Sequence, residues 1–306
     1  MFDRILVPLD GSPQSAAALP LARTLAQACR SQITLMRVAT SPAARDEAAT
    51  YLARIVHELQ TSDVAVASEV CSGIDVAPQI LWAARDQQAD LIVMATHGRS
   101  GVQRAVMGSV AESIVAETPT PVLLVRPGGQ RTTSLRKVLV AVDGTPGGAL
   151  ALASAIALAR ATGARIVLLQ VAVPIPLWMY SAELGTPLAM PLDPSWDDDA
   201  LTSAQTYVDT LARRLRDTGI EAEGRARIGD VVPTIGSVAD EINADLIVIA
   251  THARVGAARA VLGSTADAVV RTAQRPVLLV RRQAGQPRTA SRVGVVATRV
   301  KGGSGP

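Results

Sequence analysis

Two loops in this chain combine glycine, serine and a helix start in the pattern that anion binding requires. Thr96-His97-Gly98-Arg99 follows the apolar run Leu91-Ile92-Val93-Met94-Ala95, and Gly108-Ser109 comes after a gap of nine residues from Gly98. The string returns as Thr251-His252-Ala253-Arg254 after Leu246-Ile247-Val248-Ile249-Ala250, with Gly263-Ser264 downstream. A strand that runs into a polar loop and then a helix N-terminus offers unpaired N–H groups and the positive end of a peptide dipole. The chemistry implied is phosphate binding, at two places. A carboxylate accompanies each: Asp10 in Leu9-Asp10-Gly11-Ser12 and Asp143 in Val142-Asp143-Gly144-Thr145.

The elements that must position these residues form a repeated βαβ series. In the first unit, β-branched runs near 4–9, 32–38, 64–70, 90–95 and 121–126 alternate with helical patterns near 13–30, 44–60, 75–88 and 109–117. The second unit repeats the strands near 138–142, 165–171, 222–228, 245–250 and 276–281. Right-handed crossovers of this kind give a doubly wound parallel sheet. The expectation is two tandem five-stranded α/β units: 1–128, a linker over 129–137, 138–284, and a disordered tail over 285–306 rich in Gly, Ser and Arg. With strand order 3-2-1-4-5, strands one and four are neighbours, so Asp10 and the loop after strand four meet at the switch in winding direction, where ligands bind. The spacing Ser109-Val110-Ala111-Glu112 predicts a capping box with Ser109 at the N-cap, and Ser264 to Asp267 is a close variant.

Composition excludes several other classes. A chain of 306 residues suits two domains. With 3 Trp, 3 Tyr and 1 Phe, its cores must be built from aliphatic side chains and alanine. The formal charge of +3 dissolves when divided: residues 1–128 hold 10 basic and 12 acidic side chains, and residues 138–284 hold 13 and 15. The excess lies in the linker and tail, not on a face or helix, so nucleic acid is not an expected partner. The most apolar helix candidate, 149–159, is too short for a bilayer, and Asp3 and Arg4 lead directly into a strand, which does not resemble a signal peptide. Cys29 and Cys71 form no disulfide framework and read as free thiols in a reducing cytoplasm.

At these motifs the chain resembles the universal stress protein family in its tandem form, over nearly all of residues 1–284. The resemblance implies an adenine-nucleotide alpha hydrolase-like fold. The family's ATP-binding branch carries Gly, two residues, Gly, nine residues, then Gly and Ser or Thr. Ala95, Gly98, Gly108 and Ser109 stand at those positions in the first unit, and Ala250, Ala253, Gly263 and Ser264 in the second, so the units depart at one and two positions. Carried over, Asp10 and Val38, and Asp143 and Val171, would hold the adenine and ribose. Gly98, Gly108, Ser109 and Val110, with Gly263 and Ser264, would wrap ribose and phosphates. The implied ligand is ATP, or AMP or ADP, with Mg²⁺ arriving only on the nucleotide. The resemblance also implies that the two fifth strands pair, giving an internal pseudo-dimer; a homodimer of whole chains is left open.

Neither loop histidine, His97 or His252, has an acid partner or nucleophile fixed by spacing, and each is read as a neutral loop residue bonded to backbone. Arg99, Arg104, Arg254 and Arg259 suit solvated or pairing roles as well as phosphate. No metal-ligand spacing such as H-E-x-x-H or C-x-x-C occurs. The second unit also carries an insertion over 172–199, rich in proline and aromatic residues, that suits an interface or lid. The expected function is a cytoplasmic stress-response protein acting as a nucleotide-dependent sensor or regulator. The alternatives are a nucleotide-free scaffold of the same fold and a slow ATP hydrolase.

Overall fold

In the computed structural model, residues 2–60, 64–98, 107–129, 132–173, 195–251 and 263–281 are described. The first unit runs β1 (Arg4–Pro8), α1 (Pro13–Ala16), α2 (Leu19–Cys29), β2 (Gln32–Ala39), α3 (Pro42–Gln60), β3 (Ala65–Ser72), α4 (Val76–Asp86), β4 (Leu91–Ala95), α5 (Ser109–Glu117) and β5 (Val122–Val125). The second runs β6 (Lys137–Ala141), α6 (Pro146–Thr162), β7 (Arg165–Ala172), α7 (Ser195–Asp217), β8 (Ala222–Ile228), α8 (Val231–Glu241), β9 (Leu246–Thr251), α9 (Ser264–Thr272) and β10 (Val277–Arg281).

Within each unit the strands are parallel, and both units have the order 3-2-1-4-5. The fifth strands join antiparallel, Leu123 opposite Leu278, so one ten-stranded sheet runs through both units. Because β side chains alternate between faces, this sheet separates two cores. Ile5, Val7, Val138 and Val140 share one with α2, α3, α6 and α7; Leu6, Ile92, Leu139 and Ile247 share the other with α4, α5, α8 and α9. The central strands are buried on both faces, which explains their unbroken aliphatic runs.

Paired acidic residues fix the start of each unit's first strand. Asp90 Oδ2 accepts from the amides of Asp3 and Arg4, and Asp245 Oδ2 accepts from those of Arg136 and Lys137. Residues before β6 are packed: Leu135 is buried, and Thr132 Oγ1 donates to the Asp245 carbonyl. The helix expected over 13–30 is broken in two. Pro20 lies in the first turn of α2 and has no N–H with which to continue the ladder of α1. The insertion divides as well, for 195–199 opens α7 while 174–194 lies outside the described residues. The disordered-tail expectation, 285–306, also lies outside them.

Candidate functional site

The loop after β1 is built around one carboxylate. Asp10 Oδ1 accepts from the Ser12 amide at 2.8 Å and the Ser12 hydroxyl at 2.6 Å, tying a turn whose next residue, Gly11, has φ +87°. That angle suits glycine, which has no Cβ to clash. Ser12 then caps α1 by accepting from the Ser15 amide at 3.1 Å. The second carboxylate oxygen, Oδ2, faces Gly98 so closely that a Cβ there would overlap it. Strand order therefore brings Asp10 and the loop after β4 together at the carboxyl edge of the sheet, as the topology requires.

Gly108 follows across the undescribed segment 99–106. Its backbone is extended, φ −64° and ψ 147°, and its carbonyl accepts the first intrahelical bond, from the Glu112 amide at 2.9 Å. Gly108 is thus the N-cap, and Ser109 is the first helical residue. This corrects the capping-box expectation, and Gly263 displaces Ser264 in the same way. The physical reason is that Ser-x-x-Glu fits the first helical turn one residue later equally well, provided a glycine precedes it. The Ser109 and Ser264 side chains are consequently exposed and make no capping bond.

The Gly108 amide donates to the Thr96 carbonyl at 2.8 Å, so its own N–H is engaged within the loop. A Cβ on Gly108 would sit 3.3 Å from that same oxygen, so the close crossing itself favours glycine. The donors left for a ligand are the amides of Ser109, Val110 and Ala111, which have no acceptor within the helix, and the Ser109 hydroxyl. Val38 and Val110 are half-buried against the second core.

His97 precedes Gly98, and its Cα would lie 3.8 Å from a Cβ on Gly108. Its Nδ1 is 2.9 Å from Thr96 Oγ1, a side-chain contact where a backbone one was expected, and Nε2 is buried without a partner among the described residues. Burial, aided by the Arg126 charge, holds its pKa below the usual 6.5, so the ring is neutral near pH 7. Arg126 also reaches across to the other unit, donating to the Arg271 carbonyl at 3.1 Å.

One residue beside the site escaped the sequence reading. Arg37 precedes Val38 on β2 and is buried, with its guanidinium 3.0 Å from where a Gly11 Cβ would lie. It pairs with Glu47 at 2.9 Å and stacks 5.4 Å from the Tyr51 ring centroid. The available signal was a lone charge inside an otherwise apolar buried strand.

The second unit repeats part of this geometry. Asp143 Oδ1 accepts from the Thr145 amide and hydroxyl at 2.9 and 2.7 Å, and Gly144 has φ +72°. Gln170 takes the place of Arg37, and its Oε1 is buried without a partner among the described residues. Val171 is half-buried, and the Gly263 amide lies 3.4 Å from Thr251 Oγ1. His252, Ala253 and Arg254 lie outside the described residues, as do Arg99, Arg104 and Arg259.

A tandem pair of doubly wound α/β units, each with an aspartate-centred turn after its first strand, defines a class of two-domain fold. The universal stress protein family model matches residues 1–126 and again 134–281. The chain belongs to that family. A universal stress protein of Mycolicibacterium smegmatis is 25% identical over 298 residues, spanning 90% of this chain and 96% of the relative. The crystal structure of a universal stress protein from Archaeoglobus fulgidus superposes with a TM-score of 0.71 at 20% identity, covering 92% of this chain and all of that one. One from Pseudomonas aeruginosa gives 0.69 at 20% identity, covering 92% and 93%. These two establish the fold. Among the described residues no helix is long and apolar enough to cross a membrane, and no cluster of side chains could hold a metal ion.

Proposed function

We propose that this chain is a cytoplasmic stress-response protein that binds ATP, or AMP or ADP, in its first unit and acts as a nucleotide-dependent regulator. The observation that carries the reading is the Gly98–Asp10 contact, which joins the loop after β4 to the carboxylate turn after β1 at the carboxyl edge of the sheet. The exposed Ser109 hydroxyl and the first amides of α5 supply donors for phosphate. Asp10 and Val38 would hold the ribose and adenine, and Mg²⁺ would come only with the phosphates. The second site, Asp143 with Val171, Gly263 and Ser264, ranks below the first because Ala253 replaces Gly98. No sequence motif supplies a base or nucleophile for hydrolysis, and a neutral, partly enclosed His97 is at most a weak one.

A nucleotide-free scaffold is the second reading, and the internally bonded Gly108 amide favours it. Native mass spectrometry of the purified chain with added ATP separates the two. One retained nucleotide per chain supports the first, and bare protein at millimolar ATP supports the scaffold.

A further inference from the structure

The ten-stranded sheet ends in β3 on one side and β8 on the other, and the two edges are finished differently. Val66 pairs with Ile33 as Ala222 pairs with Ile166, and Gly73 donates to Ala39 as Gly229 donates to Ala172. Val66, Ser68 and Val70 of β3 therefore correspond to Ala222, Gly224 and Ala226 of β8. On β8 the outward backbone groups of these residues are taken up by α7. Gln205 donates to the Gly224 carbonyl at 3.2 Å and accepts from the Ala226 amide at 2.8 Å, and Arg216 donates to the Ala222 carbonyl at 2.6 Å. The helix lies so close that a Cβ on Gly224 would come within 2.7 Å of the Val208 backbone. That edge is closed.

The β3 edge is open. Thr50-Tyr51 of α3 matches Thr206-Tyr207 of α7, which puts Ala49 where Gln205 stands. Ser68 is exposed, Val66 and Val70 are half-buried, and among the described residues no group bonds the outward amides and carbonyls of the three. Sheet edges are usually blunted by shortness, bulges, proline or lysine. Strand β3 has 8 residues in unbroken register with β2, and neither proline nor lysine. Its one charge, Glu69, is already engaged, accepting from Gln87 and Cys71. We infer that this edge pairs antiparallel with β3 of a second copy of the chain, about a two-fold axis at Ser68. That register is self-complementary. Ser68 bonds its counterpart in both directions, and Val66 bonds Val70 of the partner subunit in both directions. The two valines then meet as a β-branched cross-strand pair, and Glu69 falls opposite the small Ala67 of the partner subunit. The chain already continues its sheet in this way, where β5 meets β10 antiparallel. The inference does not rest on the nucleotide reading.

Sedimentation velocity of the full chain is the test. Strand pairing alone buries less than a standard interface of about 1,600 Å², so a reversible dimer is expected. Its mass should move from 31.8 kDa toward twice that value as concentration rises through the micromolar range. Ser68→Lys places two like charges at the two-fold, and Ser68→Pro removes an N–H that only the partner uses. Both should keep the wild-type fold and weaken the dimer at least ten-fold, and either suffices if the other folds poorly. Ser68→Cys should form a disulfide-linked dimer under mild oxidation, because the Cα atoms of such a pair lie about 5.5 Å apart. Ile228→Lys, on β8, should leave the dimer unchanged. A wild type that stays monomeric, as it would if the edge served a peptide of another protein, would overturn the proposal. So would a dimer that survives a folded Ser68→Lys or Ser68→Pro variant.

Discussion

Gly98 stands against the Asp10 carboxylate with no room for a side chain: a Cβ would overlap Oδ2 and lie 3.3 Å from Cγ. The other oxygen, Oδ1, is fully engaged in the Ser12 turn. Asp10 therefore cannot swing away from a bulkier neighbour without giving up the turn that caps α1.

Gly98→Ala should consequently displace the Asp10 turn. Overpacking of this kind costs roughly 1–3 kcal/mol, so a Tm lower by several degrees is expected in thermal melts. Adenine-nucleotide affinity should fall at least ten-fold by fluorescence titration. Unchanged melting and affinity would show that the contact relaxes freely.

His97 makes stability depend on pH in a defined direction. Its folded pKa lies below the usual value, so the unfolded state binds the proton more readily. The stabilisation it gives is complete above about pH 6.5, the unfolded value, and is lost as pH falls from there through the folded pKa. Urea titrations between pH 7.5 and 5 should show His97→Gln losing less stability than wild type over that window. Arg126→Ala removes the second cause of the shift and should raise the His97 titration midpoint measured by NMR. Parallel pH profiles for wild type and His97→Gln would refute the assignment.

Cys71 should resist alkylation. Burial and the bond from its thiol to Glu69 Oε1 at 3.3 Å raise its pKa to about 11, which leaves almost no thiolate at pH 8. Burial raises the Cys29 pKa as well. Iodoacetamide labelling of the native chain, followed by intact mass, should give slow reaction at both thiols and rapid reaction in urea. Fast native labelling of Cys71 would mean that the β3 edge opens.

The ion pair linking the units contributes little. Glu112 meets Arg271 across the junction at 3.1 Å, but the Glu112 side chain is 54% exposed. Such pairs are worth about 0–1 kcal/mol, so Glu112→Gln should change denaturant stability by less than about 1 kcal/mol. The β5–β10 ladder, with Leu123 opposite Leu278, is the main join. A larger loss would place the coupling in the charges.

Much of this was legible in the sequence because its physics is local or topological. Unbroken aliphatic runs mark strands buried on both faces, and the strand order alone predicts that Asp10 meets the loop after β4. The cap of α5 was not legible, since serine at the N-cap and serine one residue inside share a sequence pattern until the Glu112–Gly108 bond is seen. Arg37 was overlooked because a buried guanidinium is stable only with Glu47 and Tyr51, partners on another element.

The most direct test is isothermal titration of ATP into wild-type chain and into Gly98→Ala. Saturable binding near one nucleotide per chain, weakened at least ten-fold by the substitution, is the predicted result. No binding heat in the wild type, or equal binding by both proteins, would contradict a nucleotide site built on the Gly98–Asp10 contact.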